Sequence, residues 1–263
     1  MQNLSVIKIG GNIIDDPVKL SDFLQRFAAL KGHKILVHGG GKLATRLAEQ
    51  LGIQQQMIDG RRITDAETLR IVTMVYAGYI NKNIVAQLQA LNCNALGLTG
   101  ADADLLQAKK RVHELHDYGF VGDIDSSGFR AKNWISLIDA GLTPVMSPIT
   151  HNGHGQLLNT NADTVAQEIA KGLSGTYKTS LVYTFEKSGV LANVNDESSV
   201  INLMNPSNYA SLKEKGLIFA GMIPKLDNAF AALSSGVKKV IIGKAEDLYQ
   251  LIEGNAGTTI IND

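Results

Sequence analysis

HKILVHGGGKLATRLAEQLG, residues 33–52, is the stretch from which the architecture can be read. Ile35 to Val37 form a short apolar run that reads as a buried strand, three glycines follow at once, and Leu43, Leu47 and Leu51 then recur at helical spacing. Strand, glycine turn and helix in succession make a unit of the parallel α/β kind, because parallel neighbours need a crossover connection between them. The same grammar opens the chain. VIKIGGNIID, residues 6–15, is a second apolar strand that ends in Gly10 and Gly11 and carries a single cation, Lys8. A lone lysine in a buried strand needs an anion to meet it, and glycines let backbone N–H groups come close to one. Both turns are expected at the carboxyl ends of strands, facing the crevice where open α/β sheets bind ligands.

Outward from these units the pattern continues. Residues 17–32, PVKLSDFLQRFAALKG, place Leu20, Leu24 and Phe27 on one helical face with Gly32 beyond its end. After ITDAE, Thr64 and Glu67 have capping-box spacing and the helical pattern runs to about Leu91. NALGLTG (94–100) and LTPVMSPI (142–149) are strand candidates, and KKRVHELHDYGFVGDIDSSG (109–128) has the short alternating runs of hairpins standing out as a lid. A helix from near Ala162, strand TSLVYTF, hairpin-like GVLANVND, helix PKLDNAFAALSSG, strand VKKVIIG and a last strand GTTII complete the chain. No low-complexity linker or internal repeat interrupts it, so two lobes meeting near residue 175 are expected to share one sheet.

Composition narrows the partners. The 263 residues, 44% hydrophobic and 19% charged, suffice for one large domain or two fused lobes. Lysine plus arginine equals aspartate plus glutamate at 25 each and no basic block is present, which argues against nucleic acid and for small molecules. Cys93 is the only cysteine, which excludes an intrachain disulfide and a cysteine-built zinc site and suits a reducing cytosol. No apolar run approaches the ~18 residues of a membrane helix, and a cytoplasmic protein is expected. His113 with His116, and His151 with His154, lack a carboxylate or cysteine at ligand spacing, so no metal ligands are assigned to the chain.

The turn VHGGGK admits several chemistries. Gly39, Gly41 and Ala44 fit a dinucleotide fingerprint, but that fingerprint belongs in the first strand-turn-helix unit of its fold. An oxyanion hole would require a G-x-S-x-G elbow, which the chain lacks, and a Walker loop would require serine or threonine after Lys42, where Leu43 stands. A phosphoryl cradle built from Gly10, Gly11, Gly40 and Gly41, with Lys8 beside it, accounts for both turns at once.

VIKIGG, VHGGG, GRRIT (60–64), LLNTNAD (157–163) and GMIPK (221–225), in this order and at these separations, resemble the amino-acid kinase family, and most of all its members that act on N-acetylglutamate. The resemblance spans Val6 to about Ile261. It implies a three-layer αβα sandwich with a mainly parallel sheet, residues 1–175 binding the acylglutamate and forming the dimer, and residues 176–263 binding ATP. The implied reaction is ATP-dependent phosphorylation of the γ-carboxylate of N-acetyl-L-glutamate to N-acetylglutamyl 5-phosphate, in arginine biosynthesis, with Mg2+ carried by the nucleotide. By the same resemblance Lys8 and Lys225 neutralise the transferring phosphoryl group and Asp163 holds both lysines. Gly40, Gly41, Arg62 and Asn159 hold the amino-acid substrate, and Glu186, Ser188, Gly189 and Gly221 contact the nucleotide. Arginine-inhibited hexamers of the family carry an extra N-terminal helix, so with five residues ahead of Val6 a homodimer insensitive to arginine is expected. TFEKSGV (184–190) departs from the family's T-D-V-x-G-V, leaving a non-catalytic acylglutamate or arginine sensor as an alternative. Arg61 replaces an apolar residue and GADAD (100–104) replaces G-K-D-G, so another acyl group, such as succinyl, is a second alternative.

Overall fold

A computed structural model of the chain describes residues 1–262 apart from 59, 60, 194 and 219–221. The central sheet is built from β1 (Asn3–Lys8), β2 (His33–Val37), β3 (Ala95–Leu98), β4 (Thr143–Met146), β5 (Lys178–Phe185), β6 (Leu203–Met204), β7 (Lys239–Lys244) and β8 (Thr258–Ile260). Their order is β6-β8-β7-β5-β1-β2-β4-β3, and every neighbouring pair is parallel except β7 with β8. From β1 the chain builds first toward β2 and later, on the other side, toward β5. That reversal opens a crevice at the carboxyl end of β1, where Lys8 stands in register with Val37 and Tyr183.

Strand periodicity divides the core. Successive side chains point to opposite faces. Val6, Ile35, Val37, Leu181 and Val240 therefore join one buried cluster, while Ile7, Leu36, Val182 and Ile241 join the other. On the first face lie α6 (Ala131–Asp139), α7 (Ala162–Leu173) and α9 (Ile223–Ser234), which supply Trp134, Ile169 and Leu226. The second is covered by α2 (Pro17–Ala29), α4 (Ala66–Val72), α5 (Asn81–Ala90) and α10 (Leu248–Glu253), with Phe23, Leu69, Ile84 and Leu248 inward. The result is the three-layer αβα sandwich. Among the described residues no helix is long and apolar enough to cross a membrane.

Local signals work as their chemistry requires. Asp16 caps α2 by accepting from the N–H groups of Val18 and Lys19 at 3.0 and 3.2 Å, ahead of Pro17 at its first position. Lys109–Lys110 pair with Gly122–Asp123 as a short antiparallel ladder in the segment expected to form a lid.

Two expectations need correction. The helix after ITDAE is capped by Asp65, whose carboxylate accepts from Thr68 N–H at 2.7 Å, because Thr64 is buried and bonded elsewhere. It also relaxes into a π-helical stretch, Thr73–Ile80, before α5. In α3 (Gly41–Gln50) the buried residues are Ala44 and Ala48, whereas Leu43 and Leu47 are half-buried and Leu51 is exposed. Alanines let the helix backbone pack closely on its neighbours, and the leucines are left along an open groove.

Candidate active site

Lys8 ends β1, and its ammonium lies 2.8 Å from Oδ1 of Asp163. Asp163 sits in the first turn of α7, where Asn161 caps the helix by accepting from Asp163 N–H at 2.8 Å and Thr164 N–H at 3.1 Å. The acid therefore favours the helix dipole and anchors the lysine together. Two side chains from β5 complete the support. Tyr183 donates its hydroxyl to the Asp163 carbonyl at 3.3 Å, and Thr184 donates to the Lys8 carbonyl at 3.2 Å. Burial, with the Asp163 charge nearby, holds the Tyr183 phenol well above its ordinary pKa, so it stays a donor.

Lys8, Asp163, Tyr183, Phe185 and Lys225 surround a cavity of about 40 Å³. That is the scale of a small group such as a phosphoryl. Lys225 belongs to the first turn of α9, and its ammonium lies 5.0 Å from the centre of the Phe185 ring. Asp163 thus holds one lysine of the expected two; an aromatic face holds the other.

A second cavity, of about 220 Å³, is bounded by the Gly39–Gly41 turn, Arg61, Arg62, Tyr76 and Asn159. Asn161 and Ala162 face this cavity while Asp163, the next residue, faces the first. The start of α7 thus stands between the two. Arg62 is buried, and its guanidinium donates to the Gly41 carbonyl at 3.0 Å, to Thr45 Oγ1 at 2.9 Å, and to Gln55 Oε1. Asn159 donates to Thr64 Oγ1 at 3.0 Å, which in turn donates to the Arg62 carbonyl at 3.1 Å. This bond is what withdraws Thr64 from capping duty.

The glycine turn is fixed from below by contacts that the VHGGG motif does not announce. Gly40 has φ +152°, and a Cβ there would come within 2.2 Å of Ile80 Cδ1, so only glycine fits. His38 is buried, its Nδ1 bonded at 2.8 Å to the Gly39 carbonyl and its Nε2 at 3.0 Å to the Asn81 amide. A carbonyl can only accept, so Nδ1 carries the proton and Nε2 accepts from Asn81. Burial lowers the His38 pKa from 6.5 to about 4, which keeps the ring neutral. Between pH 6.5 and about 4 the unfolded chain takes up a proton that the folded one refuses. Stability is therefore full above pH 6.5 and falls as the pH drops through that window, by about 3 kcal/mol in all. His38→Gln is expected to remove this slope in urea titrations at pH 7 and pH 5; equal slopes in both proteins would contradict it.

The remaining expected residues are more scattered. Gly10 lies against β5, where a Cβ would meet the Thr184 carbonyl at 3.0 Å, and Gly11 opens the short helix α1 (Gly11–Ile14); neither is among the described residues lining these two cavities. Glu186 is exposed just beyond β5, Gly189 is buried beside Thr258, and Gly221 lies outside the described residues. Ser188 donates to Glu197 at 2.9 Å, and the same carboxylate binds Lys187 at 2.8 Å and Lys244 at 3.3 Å. Lys187, chiefly, with Ser188 lowers the Glu197 pKa to about 2. The unusual lysine of TFEKSGV is thus matched by an acid ten residues on.

A mainly parallel sheet with one cavity at the carboxyl end of its reversal strand, lined by two lysines, and a second beside it at the glycine turn after β2 suits phosphoryl transfer, and residues 3–244 match the amino acid kinase family, to which the chain belongs. An acetylglutamate kinase of Cytophaga hutchinsonii is 56% identical over 264 residues, covering 99% of each chain. An acetylglutamate kinase of Phocaeicola vulgatus is 50% identical over 98% of each. N-acetylglutamate synthase from Neisseria gonorrhoeae, solved with coenzyme A and N-acetyl-glutamate, superposes with a TM-score of 0.82 at 21% identity, over 100% of this chain and 60% of that one. That likeness is one of fold.

Proposed function

We propose that the protein transfers the γ-phosphoryl group of ATP to the side-chain carboxylate of N-acetyl-L-glutamate, a phosphorylation of arginine biosynthesis. The observation that carries this reading is the pair of cavities divided by the start of α7, one with Lys8, Asp163 and Lys225 and the other with Arg62 and Asn159. It is supported by relatives of that name over nearly the whole chain. The acceptor is already a carboxylate and needs no general base. Its oxygen attacks the terminal phosphorus, the bond to the bridging oxygen breaks, and ADP leaves; catalysis lies in alignment and charge neutralisation. Lys8 and Lys225 supply the neutralisation, Asp163 fixes Lys8, and Arg62 grips the α-carboxylate with Asn159 beside it. Gly40 and Gly41 bring backbone to the acceptor; Gly10 and Gly11, which are not among the described residues lining either cavity, stand behind Lys8 in the turn after β1. Glu186, Ser188, Gly189 and Gly221 serve the nucleotide, on the lobe of residues 176–263. Among the described residues lining the phosphoryl cavity the one carboxylate, Asp163, is committed to Lys8, so Mg2+ bound with the nucleotide would find its ligands on phosphate oxygens and water.

One observation favours a second acceptor. Arg61 lines the acceptor cavity, and among the described residues no carboxylate lies within 4 Å of it. The substrate's two carboxylates are already matched, one to the transfer site and one to Arg62; a succinyl group would bring a third. A hydroxamate assay with MgATP tests both readings. Acyl phosphate from N-acetylglutamate is expected, and none from any N-acylglutamate would overturn the enzyme reading in favour of a sensor. Equal or better turnover of N-succinylglutamate, lost in Arg61→Leu, would assign Arg61 to the acyl chain.

The groove along α3 supports a homodimer. Met74 and Tyr79, 54% and 67% exposed, border it with Leu43 and Leu47, and apolar surface of this kind marks contact sites. Sedimentation velocity is expected to give twice the chain mass, in a cytoplasmic protein; a monomer would leave the groove unexplained.

A further inference from the structure

Lys8 and Lys225 face one cavity but are held by unlike partners. Lys8 is tied to a carboxylate at 2.8 Å, whereas Lys225 has no carboxylate within 4 Å among the described residues and rests over the Phe185 ring. The difference matters for a group that must meet a polyanion. A carboxylate partner competes with the incoming phosphate and repels it; a ring face attracts the ammonium through its quadrupole and carries no net charge. The ring is itself well placed to serve. Phe185 is the last residue of β5, in register with Lys244 of β7, and its backbone passes 3.5 Å from where a Cβ of Gly10 would stand. The sheet fixes the backbone of Phe185, packing against the buried cluster of Val6 and Leu181 holds its side chain, and the ring steadies a lysine that otherwise has the rotamer freedom of a long flexible stem.

We propose that Phe185 is a positioning residue for phosphoryl transfer: its ring holds the Lys225 ammonium in the cavity before nucleotide arrives, so that the terminal phosphate meets a pre-aimed cation with no anion to displace. This rests on reading the cavity as the phosphoryl site. It also accounts for a bulky aromatic in the lining of a site that must admit a phosphate.

The test is calorimetric titration of the full chain with the magnesium complex of a non-hydrolysable ATP analogue. Phe185→Leu keeps an apolar side chain and removes the ring face; Phe185→Tyr keeps the face. Phe185→Leu is expected to weaken binding about two- to fivefold and Phe185→Tyr to restore it. In a Lys225→Ala background Phe185→Leu is expected to add nothing. Wild-type affinity in Phe185→Leu, or the same loss with and without Lys225, would overturn the proposal and leave the ring a packing element. Should the leucine variant lose its cooperative melt, Phe185→Met replaces it. Turnover with N-acetylglutamate, measured in parallel, separates the two readings: a wild type that binds nucleotide but forms no acyl phosphate sinks the acceptor assignment alone. A wild type that binds no nucleotide sinks both.

Discussion

Lys8→Ala is expected to lower kcat for acyl phosphate formation by about 10²–10³-fold, with the KM of either substrate changed far less. Negative charge accumulates on the oxygens of the transferring group as the acceptor carboxylate approaches, and a fixed ammonium is worth most at that moment. Removing one such donor in comparable sites costs about 10²–10³ in rate. The fold should survive. The Lys8–Asp163 pair is partly open to solvent, with the carboxylate 34% exposed, so losing the lysine leaves an anion that water can hydrate. Thermal melting beside the hydroxamate assay separates the two effects. Turnover within tenfold of wild type, from a folded variant, would remove Lys8 from the transfer step.

Arg62→Leu is expected to act on both substrate and fold. The guanidinium supports the glycine turn through Gly41, reaches α3 at Thr45, and bonds Gln55. Leucine would leave those acceptors without a donor and lower stability by about 2 kcal/mol. A charge-assisted grip on the substrate's α-carboxylate would be lost as well, raising its KM by about 10²-fold. Arg62→Lys keeps the charge but not the planar fork, so a partial effect is expected on both counts. A KM unchanged in Arg62→Leu would transfer the α-carboxylate to another cation, with Arg61 the nearest in sequence.

How much of this was readable beforehand depends on distance along the chain. The parallel architecture follows from residues 6–15 and 33–52 alone, because a doubly buried strand, a glycine turn and a helix are local statements. Lys8 is visible for the same reason, a lone cation in an apolar strand, whereas Asp163 and Lys225 stand out only through the resemblance of LLNTNAD and GMIPK to the family's motifs. Periodicity could not choose the buried face of α3, since Leu43 with Leu47 and Ala44 with Ala48 have the same spacing; close packing chose the alanines. Helices Ala131–Asp139 and Leu248–Glu253, α8 (Pro206–Glu214), and the hairpin of Ile149–His151 with Leu157–Asn159 escaped, being short or weakly patterned. The supporting residues escaped because they exist only as long-range pairs. His38 meets Asn81 across 43 positions, and Thr184 meets Lys8 across 176. A phenylalanine under a lysine carries no signature until β5 and α9 are placed beside one another.

The first residues of α7 also act as a ruler. Asn161 and Ala162 border the space of one reactant and Asp163 that of the other, so the offset between the two is set by the rise and rotation of a single helical step, about 1.5 Å and 100°. Arg61, in the hairpin of Met57–Ile58 with Arg61–Arg62, can be exchanged to suit a longer or more polar acyl group while Arg62 keeps the substrate in register with that step. Insertion of one residue before Asp163 would turn the carboxylate away from Lys8 altogether.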